Sequence, residues 1–275
     1  LTLPVATKPP LQLGLRRIYG LLLRTFYLHI GSWPRLIEVM YWPTINMLIW
    51  GFTSLYVLRE VGHVTTIIDV MLGGILLGEI LLRSQLGVMM LFMEEIWSRN
   101  LGHLFASPLR MPDYLVGLFI LSFLRMAIAI IVAVIVAKYL FGFSLLSLGS
   151  PLISYIALLV VNGWWYGLLL IAMLVRFGLS TEWLAWMSSW ITIPLIAPYY
   201  PVSVLPKALQ YVSYALPGTY VFESMKSQFA GQGMLTDALL IAFGLNGFYM
   251  VVAILVFRAA YRAALERGSL LQMGE

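Results

Sequence analysis

The chain has 275 residues, 61% of them hydrophobic and 11% charged, with a formal net charge of +5 and a mean hydropathy of +0.91. Soluble domains carry roughly 25% charged residues to cover their cores, so an ordinary soluble globule is excluded and lipid must be the solvent for much of the chain. Cysteine is absent, which removes disulfides, thiolate metal sites and cysteine nucleophiles; the basic balance reads as a bias in membrane topology and not as nucleic-acid binding.

Residues 1–33 are predicted to form a tail and an amphipathic helix. In LQLGLRRIYGLLLRTFYLHIGSW the arginines Arg16, Arg17 and Arg24 interrupt the apolar run, which suits a helix lying in the headgroup plane and not a cleavable signal. A helical crossing of the hydrocarbon layer takes roughly 20 apolar residues. On that measure six spans are expected, at about 34–58, 65–92, 114–141, 151–175, 183–197 and 235–257, all within a transmembrane domain of 34–258, followed by a cytoplasmic tail at 259–275. Pro34 suits the start of the first span, and Pro43 is expected to kink it.

Between spans two and three lies EEIWSRNLGHLFASPLRMPD, the longest strongly polar segment. It should be helical until Pro108 stops it, with Ile96, Leu101, Leu104 and Phe105 at spacings that can share one face. Two readings fit that composition: a helix presenting a surface to a partner, or a connector resting on the bilayer. After span five, Pro194, Pro198, Pro201 and Pro206 prevent a continuous helix, and the segment 198–233 is expected to hold short helices that enter the outer leaflet without crossing it.

The distribution of basic residues tests this scheme. With the amino terminus inside, eleven of the seventeen Lys and Arg residues are cytoplasmic, four are outside (Arg59, Lys138, Lys207 and Lys226), and Arg83 and Arg125 lie within spans. The asymmetry places both termini in the cytoplasm and the 94–107 loop with them.

The string EEIWSRNLGHLFASPLRMPDYLVGLF resembles the segment after the second span of bacterial ABC-2 type transport permeases. A second string, YYPVSVLPKALQYVSYALPGTYVFESMK, is similar to the extracytoplasmic segment between spans five and six of that family. The likeness covers nearly the whole chain and is greatest to the branch exporting polysaccharides, lipid-linked glycans or lipo-oligosaccharides. It implies an all-α membrane protein of the bacterial cytoplasmic (inner) membrane that works as a dimer with two ATPase subunits. The chain contains no G-x-x-x-x-G-K-[ST] stretch, so ATP and Mg belong to the partner subunit and no cofactor is expected here. The family's coupling helix maps onto about 94–107, with Glu94, Glu95, Trp97, Arg99, His103 and Phe105 as candidate contacts to the ATPase. Its exit gate maps onto about 198–233, around the Leu205-Pro206 and Leu216-Pro217 pairs.

Charges inside spans are costly and need a reason, roughly 2.5 to 3.5 kcal/mol each on insertion scales. Glu79 and Arg83 are four apart on one helix and can pair with each other, or can brace span two against a neighbour or a head group. Arg125 has Glu79 as a possible carboxylate partner, and Glu38 lies one turn into span one, where an interfacial role is the ordinary reading. Tyr41, Trp42 and Trp50 of span one and Trp186 and Trp190 of span five suit the interfacial aromatic belt. Asn46, Ser188 and Ser189 lie deeper. The family places spans one and five at the dimer axis, which makes all eight candidates for a translocation path. The pairs Gly74/Gly78 and Gly163/Gly167 permit close helix approach. His29, His63 and His103 fall in separate segments, so no metal site is expected, and no arrangement suggests catalysis. Two other classes compete with the permease: a membrane-embedded enzyme or assembly factor acting on lipid-linked substrates, and a secondary transporter, which usually shows internal repeats that are not evident here.

Overall fold

The computed structural model describes residues 10–31, 33–61, 65–101 and 109–267, and its regular elements there are all helical. In chain order they are α1 (Pro10–Ile30), α2 (Trp33–Val61), α3 (Thr65–Trp97), α4 (Met111–Phe141), α5 (Pro151–Phe177), α6 (Glu182–Ile196), α7 (Lys207–Ala215), α8 (Pro217–Phe229) and α9 (Thr236–Glu266). Short 3₁₀ turns precede α5, α6 and α7.

The axis of the bundle is α3. Nearly every residue from Leu72 to Phe92 is buried or half-buried, because α2, α4 and α5 all pack against it. Glycine brings α5 closest. A Cβ on Gly163 would stand 2.5 Å from the Ser84 Cβ, and one on Gly167 would stand 2.6 Å from the Gln85 carbonyl oxygen, so the second small-residue pair serves packing within one chain. Gly74 does the same for the connector after α6, facing the Pro198 carbonyl at 2.5 Å. On α4, Ser122 donates to the Ser84 carbonyl at 2.8 Å and fixes the register of α3 and α4.

Two apolar cores result. One gathers Met89, Phe92, Tyr114, Ile171 and Phe257; the other gathers Leu76, Ile80, Tyr155, Phe222 and Met225. Buried polar groups join the outer elements to them. Asn246 of α9 accepts from the Trp165 indole at 2.9 Å and donates to the Leu158 carbonyl at 3.1 Å. Tyr155 donates to Gln228 of α8 at 2.7 Å.

Among the described residues, three helices, α4, α5 and α9, are long and apolar enough to cross a membrane, and they correspond to the third, fourth and sixth of the six expected spans. At 31 residues and 1.5 Å per residue, α4 and α9 reach about 46 Å, beyond a hydrocarbon layer of about 30 Å. The last helix runs past the expected end of span six to Glu266, so Arg258 and Arg262 are helical and not part of an irregular tail. With 15 residues, α6 reaches only about 22 Å.

The expected short helices between spans five and six are present as α7 and α8. Leu205 is half-buried and Pro206 exposed, while Leu216 is half-buried against the second core and Pro217 is buried at the first turn of α8. Lys226 secures this region by donating to the carbonyls of Ala197 (3.0 Å) and Tyr200 (2.7 Å) and to Glu223 (2.6 Å). Burial pushes its ammonium below the usual lysine range, against the opposing pull of Glu223.

Candidate functional site

The helices α2, α3, α4 and α6 enclose one cavity of about 480 Å³, a size ordinary for a ligand site. Its floor is α3, through Leu86, Gly87 and Met90. One wall is α2, with Glu38 and Trp42; the opposite wall is α6, with Trp186 and Trp190, a helical turn apart. Arg125 and Met126 of α4 close a third side, and Arg83, Glu94 and Trp97 complete the α3 lining. Four indoles and four formal charges therefore share one space.

The charges are arranged in pairs. Glu79 is 3% exposed and accepts from Arg83 Nε at 2.9 Å and from Asn46 Nδ2 of α2 at 2.6 Å, so the pairing within one helix is realised and extended to a second helix. Arg125 is paired with Glu94, at 2.7 Å, and not with Glu79. The reason is geometric. Helical side chains lean toward their own N-termini, so in the antiparallel pair α3/α4 Glu94 and Arg125 lean toward one another and Glu79 and Arg125 lean apart. Only one side of the Arg125 guanidinium is used, since its buried NH1 has no hydrogen-bond partner. Glu38 is exposed and forms no ion pair among the described residues.

Of the helix expected over 94–107, the structure describes 94–101, where Leu101 is helical, and corrects its first turn. Glu94–Trp97 is the last turn of α3, and the chain then turns through Ser98–Asn100 with Arg99 in the left-handed region at φ 54°. Glu95 is 8% exposed and accepts from both terminal nitrogens of Arg24 on α1 (2.6 and 3.1 Å) and from Asn100 (2.6 Å). That hydrogen bonding raises the Arg24 guanidinium further above its usual range and holds it charged. Ile96 and Leu101 are buried in the first core. Reversing the charge of either glutamate would thus strain the fold of this chain. His103, Phe105 and Leu104 lie outside the described residues, as does the rest of 102–108. Trp97 and Arg99 are exposed.

Of the residues expected on a path, Trp42, Trp186 and Trp190 meet in the cavity together with Glu38, Arg83 and Arg125. The others do not. Tyr41 is exposed beside it, Asn46 is bound to Glu79, and Trp50 stacks on Tyr199 with centroids 5.5 Å apart. Ser188 and Ser189 turn back to the Ala185 carbonyl, each at 3.0 Å. Helical serines commonly satisfy themselves in this way. Met90 and Met126 were not foreseen, because an apolar residue lining a cavity is indistinguishable in sequence from one in a core.

Among the described residues, no group of three or more His, Asp or Glu is placed to hold a metal ion. Compared with protein-family models and with curated protein sequences, the chain matches none.

Proposed function

We propose that this chain is the transmembrane permease subunit of an ATP-driven exporter of the ABC-2 type, moving a lipid-linked glycan, a polysaccharide or another amphipathic substrate out across a bacterial cytoplasmic membrane. The reading has six crossings, both termini in the cytoplasm, a second copy of the chain and a separate ATPase that holds ATP and Mg. Its single best support is the cavity, where residues from four helices combine an aromatic lining with partly spent charges. Such a lining suits a solute that is polar at one end and apolar at the other.

In this reading the ATPase pushes on the 98–110 segment. That force enters the bundle at the last turn of α3, where Glu94 holds Arg125 in the cavity wall and Glu95 holds Arg24 of α1. Displacement of the turn would move the cavity and the interfacial helix together. The short α6 supports a gate as well: it falls below the thickness of the hydrocarbon layer, so the connector to α7 starts at membrane depth and needs the shelter of the protein. Affinity purification from its native membrane tests the proposal. An ATPase should co-purify, and its hydrolysis should rise when the permease is present. A chain that purifies only as itself, with full activity in the absence of nucleotide, would overturn it.

A further inference from the structure

Between Asp237 and Arg258 the sequence of α9 carries no charge. That interval is about 31 Å of helix, close to a hydrocarbon layer of about 30 Å, so the two residues bracket the lipid and Arg258 enters the headgroup layer opposite Asp237. Leu240, Val251 and Leu255, all more than half exposed, fall in one sector of the helix with Arg258 and Arg262. Both arginines are exposed, and neither forms an ion pair among the described residues. The same end of α9 adds exposed Glu266 and Arg267; the end of α5, which packs along α9, and the start of α6 add exposed Arg176 and half-buried Glu182. Four arginines against two glutamates leave a formal excess of +2.

Within that sector the helix lacks two side chains. Gly244 and Gly247 are exposed, and a Cβ on either would meet nothing within 4 Å, so neither serves packing within the chain as Gly163 and Gly167 do. Glycine is unfavourable inside a helix, and an open one needs a reason. Phe243 and Phe248, 70% and 62% exposed, stand about 140° apart around the helix with both glycines between them, the walls of a shallow trough. From Gly247 to Arg258 is about 16 Å along the axis, the depth of one leaflet's acyl chains. A trough that is apolar over that length and ends at two guanidinium groups matches a molecule built in the same order, hydrocarbon and then phosphate. We infer that α9 binds an anionic phospholipid, with its phosphate between Arg258 and Arg262 and one acyl chain in the trough at Gly244 and Gly247. A zwitterionic headgroup would bring an ammonium into a region that already carries excess positive charge, and a free phosphate would leave the trough unused. The inference rests on the permease reading only for naming the leaflet cytoplasmic, since binding requires no ATPase.

The test uses the purified full chain in uncharged maltoside micelles. Because the chain has no native cysteine, Val251→Cys takes a single bimane fluorophore beside the trough, and its quenching by acyl-brominated lipids is read. Brominated phosphatidylglycerol should quench at about fivefold lower mole fraction than brominated phosphatidylcholine, the scale of one arginine at an anionic surface. Arg258→Gln with Arg262→Gln should equalise the two lipids, and Gly247→Leu should weaken quenching by phosphatidylglycerol. All three positions are exposed, so the variants keep the fold. Arg16→Gln, at an exposed arginine of α1, should change nothing. Equal quenching by the two lipids with both arginines present would overturn the inference, as would a preference that survives the double variant or falls as far with Arg16→Gln. Quenching unmoved by Gly247→Leu would take the acyl chain out of the trough and overturn it too. Loss of quenching on adding glycerol phosphate would assign the arginines to a soluble phosphate, and disulfide crosslinking of Gly247→Cys between copies in native membranes would give the trough to a second chain; either result overturns it. None of these outcomes touches the co-purification result, so the two proposals fail separately.

Discussion

Glu79 shows how one residue sets the terms for its neighbours. At 3% exposure in the middle of an apolar helix, it is accommodated because Arg83 and Asn46 each give it a hydrogen bond, at 2.9 and 2.6 Å. Glu79→Leu should leave a guanidinium uncompensated, and removing one member of a buried pair costs about 3–5 kcal/mol. Replacing both, Glu79→Leu with Arg83→Met, should restore most of that loss, since an apolar pair needs no compensation. Thermal unfolding in maltoside of the two variants measures the difference, and equal melting temperatures would show that the pair is not coupled. This pair was legible in the sequence because its spacing of four is local. The partner of Arg125 was not, because it depends on how α3 and α4 are set against each other, and that register is fixed by the contact of Ser122 with the Ser84 carbonyl, two small residues with no signature of their own.

At the scale of elements, α1 is not a helix merely resting on the surface. Arg17 reaches Asp113 at 3.2 Å, Arg24 grips Glu95 with two nitrogens, and Leu21 fills the space left by Gly117. The arginines that marked α1 as interfacial also tie it to the bundle, a second use that composition does not reveal. Arg24→Ala should speed amide hydrogen exchange in α1 about fivefold, the effect of roughly 1 kcal/mol from one charge-assisted bond, while α5 keeps its protection. Arg24→Lys should recover only part of the loss, because an ammonium lacks the planar fork that engages both carboxylate oxygens. Exchange in α1 unchanged by Arg24→Ala would show that its apolar contacts alone hold it.

For the whole molecule, the expected spans at 114–141 and 151–175 agree closely with the bounds of α4 and α5, because a long apolar run is a property of the sequence itself. The cavity is a different matter. Its indoles come from three helices, residues 42, 97, 186 and 190, and no periodicity within any one segment announces that they will meet. The topology itself is open to a direct measurement in a chain with no native cysteine. A membrane-impermeant thiol reagent on intact cells should label Lys207→Cys and spare Arg99→Cys, both of which are exposed positions. The reverse labelling would invert the orientation and remove the route by which an ATPase is proposed to reach α3.

Glu94 and Glu95 are consecutive residues on a helix, so their side chains leave its axis about 100° apart. One is held by α4 and the other by α1. The final turn of α3 is therefore stayed from two sides, like a mast with two lines, and any displacement of it bears on α1 and α4 together. Arg99, in its left-handed conformation just beyond, is where the doubly held helix gives way to the turn.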